Sequence, residues 1–385
     1  MTAETFASRI VSRSIDTLKS QIYLDWNSTS PPHADVLAAM QFAGTHIWAN
    51  PASVHAWGRN SKNLIESVRD SLAQLIEVHP RDLVFTSGGT EANNWALHRV
   101  PGLVLSRIDH PSVTRQGEKL ESSGLPVRWL PVSNSGIIEP ESIEKSLSGM
   151  PAGTCVAVTA VNHETGIIQP IAALFEAVHR FGAILHVDAV QALGKLPVDS
   201  WNCWDSVAVA AHKIRGPKGI GALAWKCGRP TPTPLFAGGS QERGLRPGTV
   251  DPILVAGFGA ALDRISEYST SLSRISMLRD RLERELGSLT ESNIAAQASR
   301  VGHVSSLFIE NWSAEELVAA LDLEGICVSS GSACAAGTAD VSPVITAMFD
   351  AQRARSTVRI SLGETTTESE IQRTIGVFRS VLSRS

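Results

Sequence analysis

The stretch AILHVDAVQALGKLPVDSWNCWDSVAVAAHKIRGPKGIGALAW, residues 183–225, holds three short β-rich runs, AILHV (183–187), SVAVA (206–210) and GALAW (221–225). Four runs of the same kind precede it: LVF (83–85), LVL (103–105), VRWL (127–130) and CVAVTAV (155–161). Helical patterns separate them, as at 61–77, where Leu64, Val68, Leu72, Leu75 and Ile76 share one face. Strand alternating with helix predicts an α/β fold, a mostly parallel seven-stranded sheet covered by helices on both faces.

After residue 263 the rhythm changes. Ile265, Leu272, Ile275, Leu278, Leu282 and Leu286 mark a long amphipathic helix. It leads into a smaller α+β unit with strands at VSSLFIE (304–310) and TVRISL (357–362). Ser313 with Glu316, and Thr367 with Glu370, are capping boxes that start its helices. The expected division is a leader at 1–22, a large domain at 23–262 and a small C-terminal domain at 263–385, the first 30 residues packing on either domain. The leader reads as a frayed helix rather than a transit peptide, since Glu4 and Asp16 interrupt its arginines and serines.

The 385 residues are 43% hydrophobic and 19% charged, without an apolar run of about 18 residues that could span a bilayer. Lysine plus arginine (34) against aspartate plus glutamate (38) leaves a net charge of -4 without single-sign blocks, which argues against nucleic acid as a partner. Five cysteines with no CxxC pair argue against a disulfide framework and a zinc site, so no metal is expected and a reducing cytoplasm fits best.

Five segments carry candidate chemistry. FTSGGTEANN (85–94) runs from a β-run through a small-residue turn into a helix start, which suits a phosphate and equally an ordinary βα turn. Asp188 ends a strand where open sheets deliver ligand-facing groups, yet the same position suits a turn or helix cap. In AAHKIRGPKG (210–219), Lys213 stands where a strand breaks into a loop, as a lysine holding an aldehyde cofactor would, or as a solvated loop residue would. Cys334 lies among small residues in SSGSACAAG (329–337), a reactive or an incidental thiol, and Arg359 alternates with apolar residues as a fork for a carboxylate or a surface ion pair.

In order and spacing these segments resemble the cysteine desulfurases, pyridoxal-phosphate (PLP) enzymes of fold type I grouped with the class V aminotransferases. The resemblance runs from YLDWNSTSPP (23–32) to RISLG (359–363). It takes in NPASVHAWGR (50–59), VNHETGIIQP (161–170), HVDAVQALGK (186–195) and GGSQERGLRPGT (238–249). It implies that Lys213 binds pyridoxal 5'-phosphate covalently, that Asp188 pairs with its pyridine nitrogen, and that Gln191 contacts the ring hydroxyl. His110, in IDHPSV, matches the histidine that stacks on the ring and assists proton transfer. Gly89, Thr90 and His212 match the phosphate site, with Thr249 supplied by the partner subunit of a homodimer. Arg359 and Asn162 match the positions near the substrate carboxylate. L-Cysteine would then give L-alanine and a persulfide on Cys334, whose small-residue loop would swing toward an acceptor. The SSGSAC form through Pro343 resembles the long-loop type that feeds iron–sulfur scaffolds and tRNA thiolation.

The sequence departs from the family pattern in three places. His163 stands where a second asparagine is usual, near the ring, and is expected to replace its hydrogen bond and alter the titration of the Lys213–cofactor chromophore. Ala210 replaces a serine that reaches the phosphate, a loss of roughly 1.5–3 kcal/mol if water does not compensate. In YLDWNSTSP the usual asparagine and two alanines after the aspartate are replaced. Rival readings are a selenocysteine lyase, another class V transaminase or lyase, and a weakened sulfur-relay partner.

Overall fold

Each of the seven β-runs forms a strand of one sheet. The computed structural model describes residues 21–229, 231–294, 298–331 and 341–383. After a two-residue strand Ile22–Tyr23 (β1) come Leu83–Thr86 (β2), Leu103–Ser106 (β3), Val127–Leu130 (β4), Cys155–Thr159 (β5), Ile184–Asp188 (β6), Ser206–Ala210 (β7) and Gly221–Trp225 (β8). Their order is β2-β8-β7-β6-β5-β3-β4, and only β8 runs antiparallel to its neighbours. Strands β2, β3, β5 and β8 are buried along their whole length, as helices on both faces require, so they read as continuous apolar runs. Since six strands point one way, the residues that follow β2, β3, β5, β6 and β7 converge along one edge, where open α/β sheets bind ligands.

The helix expected at 61–77 spans Ala56–Leu75, with Ile65 buried in the core and Leu64 packed against it. It starts earlier because His55 caps it, the ring Nδ1 accepting the Gly58 N–H at 3.3 Å. This helix also buries Arg69, which forms a fork-to-fork pair with Glu242 at 2.8 and 2.6 Å. Glu242 Oε2 further accepts the Phe85 N–H at 2.9 Å, and Arg243 donates to the Leu83 carbonyl at 2.6 Å. Thus the GGSQERGLRPGT loop, left-handed at Glu242 and Arg243, is pinned to the start of β2.

The C-terminal unit has its own core. Helix Ile265–Leu286 buries Ile275, Leu278, Leu282 and Leu286 against a three-stranded antiparallel sheet. Its strands are Glu291–Ser292 (β9), Val304–Phe308 (β10) and, after the short strand Ile326–Cys327 (β11), Thr357–Ser361 (β12), in the order β12-β10-β9. Ser313 caps helix Ala314–Leu323, and the reciprocal Thr367–Glu370 box starts helix Glu368–Leu382, which buries Ile371, Ile375 and Phe378 on one face. Each such side chain stabilises the unit by about 1.5–3 kcal/mol.

The opening strand joins this unit. β1 pairs in parallel with β11, and Ile22 and Leu24 lie in the C-terminal core, so the expected boundary at 22/23 falls inside β1. The chain then crosses over: Trp26 N–H reaches the Ser361 carbonyl at 3.3 Å and Ser30 N–H the His212 carbonyl at 3.1 Å. Residues 25–30 therefore bridge the two cores, and the cavity described next lies along them. No helix among the described residues is long and apolar enough to cross a membrane.

Candidate active site

At the carboxyl edge of the sheet a cavity of about 260 Å³ opens. Gly89, Thr90, His110, His163, Asp188, Gln191, His212, Lys213 and Arg359 all line it. Helix Gly89–Ala96 begins there under Gly88, whose φ of 149° is open to glycine and whose missing side chain leaves the helix uncapped. A Cβ on Gly89 would come within 2.6 Å of Val190 Cγ2, so only glycine lets this terminus approach the end of β6. The first-turn N–H groups have no intrahelical partner and carry the positive end of the helix dipole, which makes an anion site.

Asp188 ends β6 with 3% of its surface exposed. Its Oδ1 accepts the Val190 N–H at 3.0 Å and its Oδ2 accepts from Asn93 Nδ2 at 2.7 Å. Burial pushes its pKa up, partly offset by those donors and by His163 and Lys213, so a cationic partner in the cavity would be welcome. Asn93 also donates to Ser112 Oγ at 2.8 Å, and its own oxygen lies 3.0 Å from His186 Nε2. Burial pushes His186 down to about 4, so the neutral ring donates from Nε2 to Asn93 and faces Ser206 Oγ with Nδ1 at 2.9 Å.

The network continues to His110, which follows β3 and caps helix Pro111–Ser122. Its Nδ1 accepts the Ser112 N–H at 3.1 Å and lies 2.8 Å from Ser112 Oγ, whose oxygen is already taken by Asn93. The hydroxyl therefore donates to Nδ1 and the ring proton sits on Nε2. Burial, then His163, Lys213 and His212, push His110 down to about 3. Its ring meets His163 edge to face, centroids 5.1 Å apart. Asp109 fixes this corner by accepting the Ser106 and Thr159 N–H groups at 2.8 Å each, and burial raises it to about 6.

Lys213 follows β7 in the short 3₁₀ turn Ala211–Lys213, and its Nζ donates to the Asn27 and Ser28 carbonyls at 2.6 and 2.8 Å. His212 places Nδ1 3.1 Å from Thr29 Oγ1, and burial followed by three lysines pushes it down to about 3. Ala210, ending β7, also lines the cavity. His163 leaves Nδ1 buried with no hydrogen-bond partner among the described residues.

Arg359 comes from the opposite side. It stands on β12 with 2% of its surface exposed, donates to Asp25 Oδ1 at 2.7 Å and Ser28 Oγ at 2.6 Å, and reaches the His163 and Gly331 carbonyls at 3.0 and 3.2 Å. Its Nε has no partner among the described residues.

One expected residue is placed elsewhere. Asn162 does not line the cavity: its Nδ2 donates to the Ile108 carbonyl at 2.9 Å, and its Oδ1 accepts from the Glu164 and Thr165 N–H groups and the Thr165 hydroxyl. Those contacts commit the amide to shaping its own turn. Thr249 is exposed and outside this chain's cavity. Cys334 lies outside the described residues, although Gly331 before it and Pro343 after it line the cavity. Asn93, Ser112 and His186 escaped the sequence reading. The signal was a histidine two residues before Asp188 on one strand, hence on the same face.

An aminotransferase class-V family model matches residues 22–374, and the chain belongs to that family. Within it, the relatives are cysteine desulfurases. The cysteine desulfurase of Nostoc sp. is 33% identical over 95% of this chain and 94% of its own length. The mitochondrial cysteine desulfurase of Eremothecium gossypii is 35% identical over 93% of this chain and 75% of its own. A solved NifS-like protein superimposes with a TM-score of 0.86 at 29% identity, covering 95% of this chain and all of the other.

Enzymes of this family use PLP. The donor set fits that group: amide N–H groups at Gly89 and Thr90 for the phosphate, a buried carboxylate for the pyridine nitrogen, and a lysine amine on the same cavity.

Proposed function

We propose that this chain is a cysteine desulfurase that removes sulfur from L-cysteine, leaving L-alanine and a persulfide on Cys334. The observation that carries the reading is that one cavity holds Lys213, Asp188 and Arg359 and is walled by Gly331 and Pro343, which bracket the Cys334 stretch. When bound, PLP supplies an electron sink for the charge left at the substrate Cα.

The chain's residues divide the remaining work. Lys213 Nζ would hold the cofactor and serve as the base that takes the substrate Cα proton. Asp188 keeps the pyridine nitrogen protonated, since a buried carboxylate gains from a cation beside it. His110, held neutral by burial, would offer Nε2–H to the cofactor ring, Gln191 would serve the ring hydroxyl and His212 the phosphate. Arg359 meets the substrate carboxylate. The Cys334 thiolate then attacks the substrate sulfur: an S–S bond forms, the carbon–sulfur bond breaks, and its electron pair passes to the carbon, which takes up a proton.

The site is completed by a second copy. Trp48, Val54 and Trp57 are 60%, 88% and 53% exposed around the NPASVHAWGR stretch, and Thr249 lies outside its own chain's cavity, which suits a homodimer that lends Thr249 across. A cytoplasmic location and a long-loop role, passing sulfur to an iron–sulfur scaffold or a thiolation enzyme, belong to the same reading.

The test is cysteine-dependent formation of alanine and sulfide by the wild type and Cys334→Ser. Loss of sulfide in the variant with PLP still bound is expected. Undiminished sulfide without Cys334, or a wild type that releases no alanine, would overturn the reading.

A further inference from the structure

Behind the cavity lies a lysine that none of these steps uses. Lys195 closes the HVDAVQALGK motif, is 5% exposed, and donates from Nζ to Oε1 of Gln191, four residues earlier. A buried ammonium is costly, and burial followed by Lys213 and Arg359 pushes its pKa far below the usual lysine range.

The contacts fix which way round the Gln191 amide lies. Its Nε2 donates to the Asn27 carbonyl at 3.0 Å, the same oxygen that accepts from Lys213 Nζ at 2.6 Å. A carbonyl only accepts, so a flipped amide would set oxygen against oxygen there. Asn27 itself cannot yield. Its Nδ2 donates to the His163 carbonyl at 2.9 Å, and its Oδ1 takes His303 Nε2 at 3.0 Å, with Lys195 Nζ at 3.5 Å. His303 is buried and held neutral by burial, hence a donor at Nε2. With Oε1 turned to Lys195 and one N–H on the Asn27 carbonyl, Gln191 has its second N–H to offer the cavity it lines.

We propose that Lys195 is a positioning residue that, through Gln191, presents the cofactor's ring oxygen with a hydrogen-bond donor and never an acceptor, favouring the ionised ring oxygen. The proposal rests on the reading that PLP occupies this cavity. Asn27 is the second half of the lock.

The test compares the PLP-loaded wild type with Lys195→Met, which keeps the apolar stem and removes the donor, and Lys195→Gln, which restores an N–H donor. The readouts are the balance of the two absorption bands of bound PLP at one pH and the PLP dissociation constant by equilibrium dialysis. The Met variant is expected to shift the band balance toward the protonated ring oxygen and to bind PLP roughly threefold to tenfold more weakly. The Gln variant is expected to recover at least half of both changes, which a purely structural lysine would not produce. A Met variant with the wild-type spectrum and affinity overturns the proposal alone. A wild type that shows no Lys213-dependent PLP absorption overturns the underlying reading instead.

Discussion

The two walls of the cavity are held by different physics. On the sheet side, Asp188 and His110 share one buried relay in which His186, Asn93 and Ser112 are all neutral and every hydrogen has a direction. On the C-terminal side, Arg359 is a buried cation facing Asp25, its remaining contacts drawn from residues 28, 163 and 331. A neutral relay fixes orientation without needing a counter-charge, whereas a buried cation depends on every partner that surrounds it. The first wall suits a group that must be aimed at a resident cofactor. The second suits one that exchanges partners when an anionic substrate arrives.

Removing the group that both walls surround should have the largest effect. Lys213→Ala is expected to lower cysteine-dependent alanine formation by roughly 10²–10⁴-fold, with far-UV circular dichroism unchanged. A loss below tenfold would mean that the proton is taken elsewhere, and the sheet wall would lose its assigned purpose.

Asp109 tests whether the sheet wall relies on neutrality. Its folded pKa of about 6 lies above its ordinary value of 3.8, so the folded state binds the extra proton between the two. Its contribution therefore lowers stability as pH rises from about 4 to about 6, by at most roughly 3 kcal/mol at about 1.4 kcal/mol per pH unit. Asp109→Asn should flatten that part of the stability curve, read by urea unfolding at pH 4, 5 and 6. An unchanged slope would show the carboxylate to be well served by its two N–H donors.

For the opposite wall, Arg359→Lys keeps the charge and loses the fork. The expected result is a KM for cysteine raised about 10–100-fold, with kcat changed far less. Equal loss in both would assign Arg359 to holding Asp25 and the bridging segment rather than to the substrate.

How much could be read in advance follows the same division. Groups at the end of a parallel strand or within four residues after it, such as Asp188, Lys213 and His110, stand out because the strand's apolar run points at them. Helix starts were less legible. His33, His55 and His110 cap helices through ring nitrogens, a role usually filled by serine, threonine, aspartate or asparagine. Arg359 was visible as a polar residue in an apolar strand, but its partners come from residues 25, 28, 163 and 331, which no local pattern connects. Asn27 was visible only as a departure. Its meaning depends on three side chains, Gln191, Lys213 and His303, that meet it from separate elements.

The smallest effect is expected where the sheet wall lacks a donor. Ala210 is 1% exposed, extended at φ -142° and ψ 138°, and lines the cavity beside the helix terminus at Gly89. A serine there adds one hydroxyl without changing the backbone, since an extended strand end accepts it readily. The full charge-assisted bond would be worth roughly 1.5–3 kcal/mol, but water can supply part of it to a phosphate in the wild type. Ala210→Ser should therefore tighten PLP binding by only about threefold to tenfold in equilibrium dialysis, with the spectrum of the bound cofactor unchanged. If the affinity does not move, the amide N–H groups of the helix terminus and His212 already satisfy the phosphate, and the neutral wall is complete without the hydroxyl.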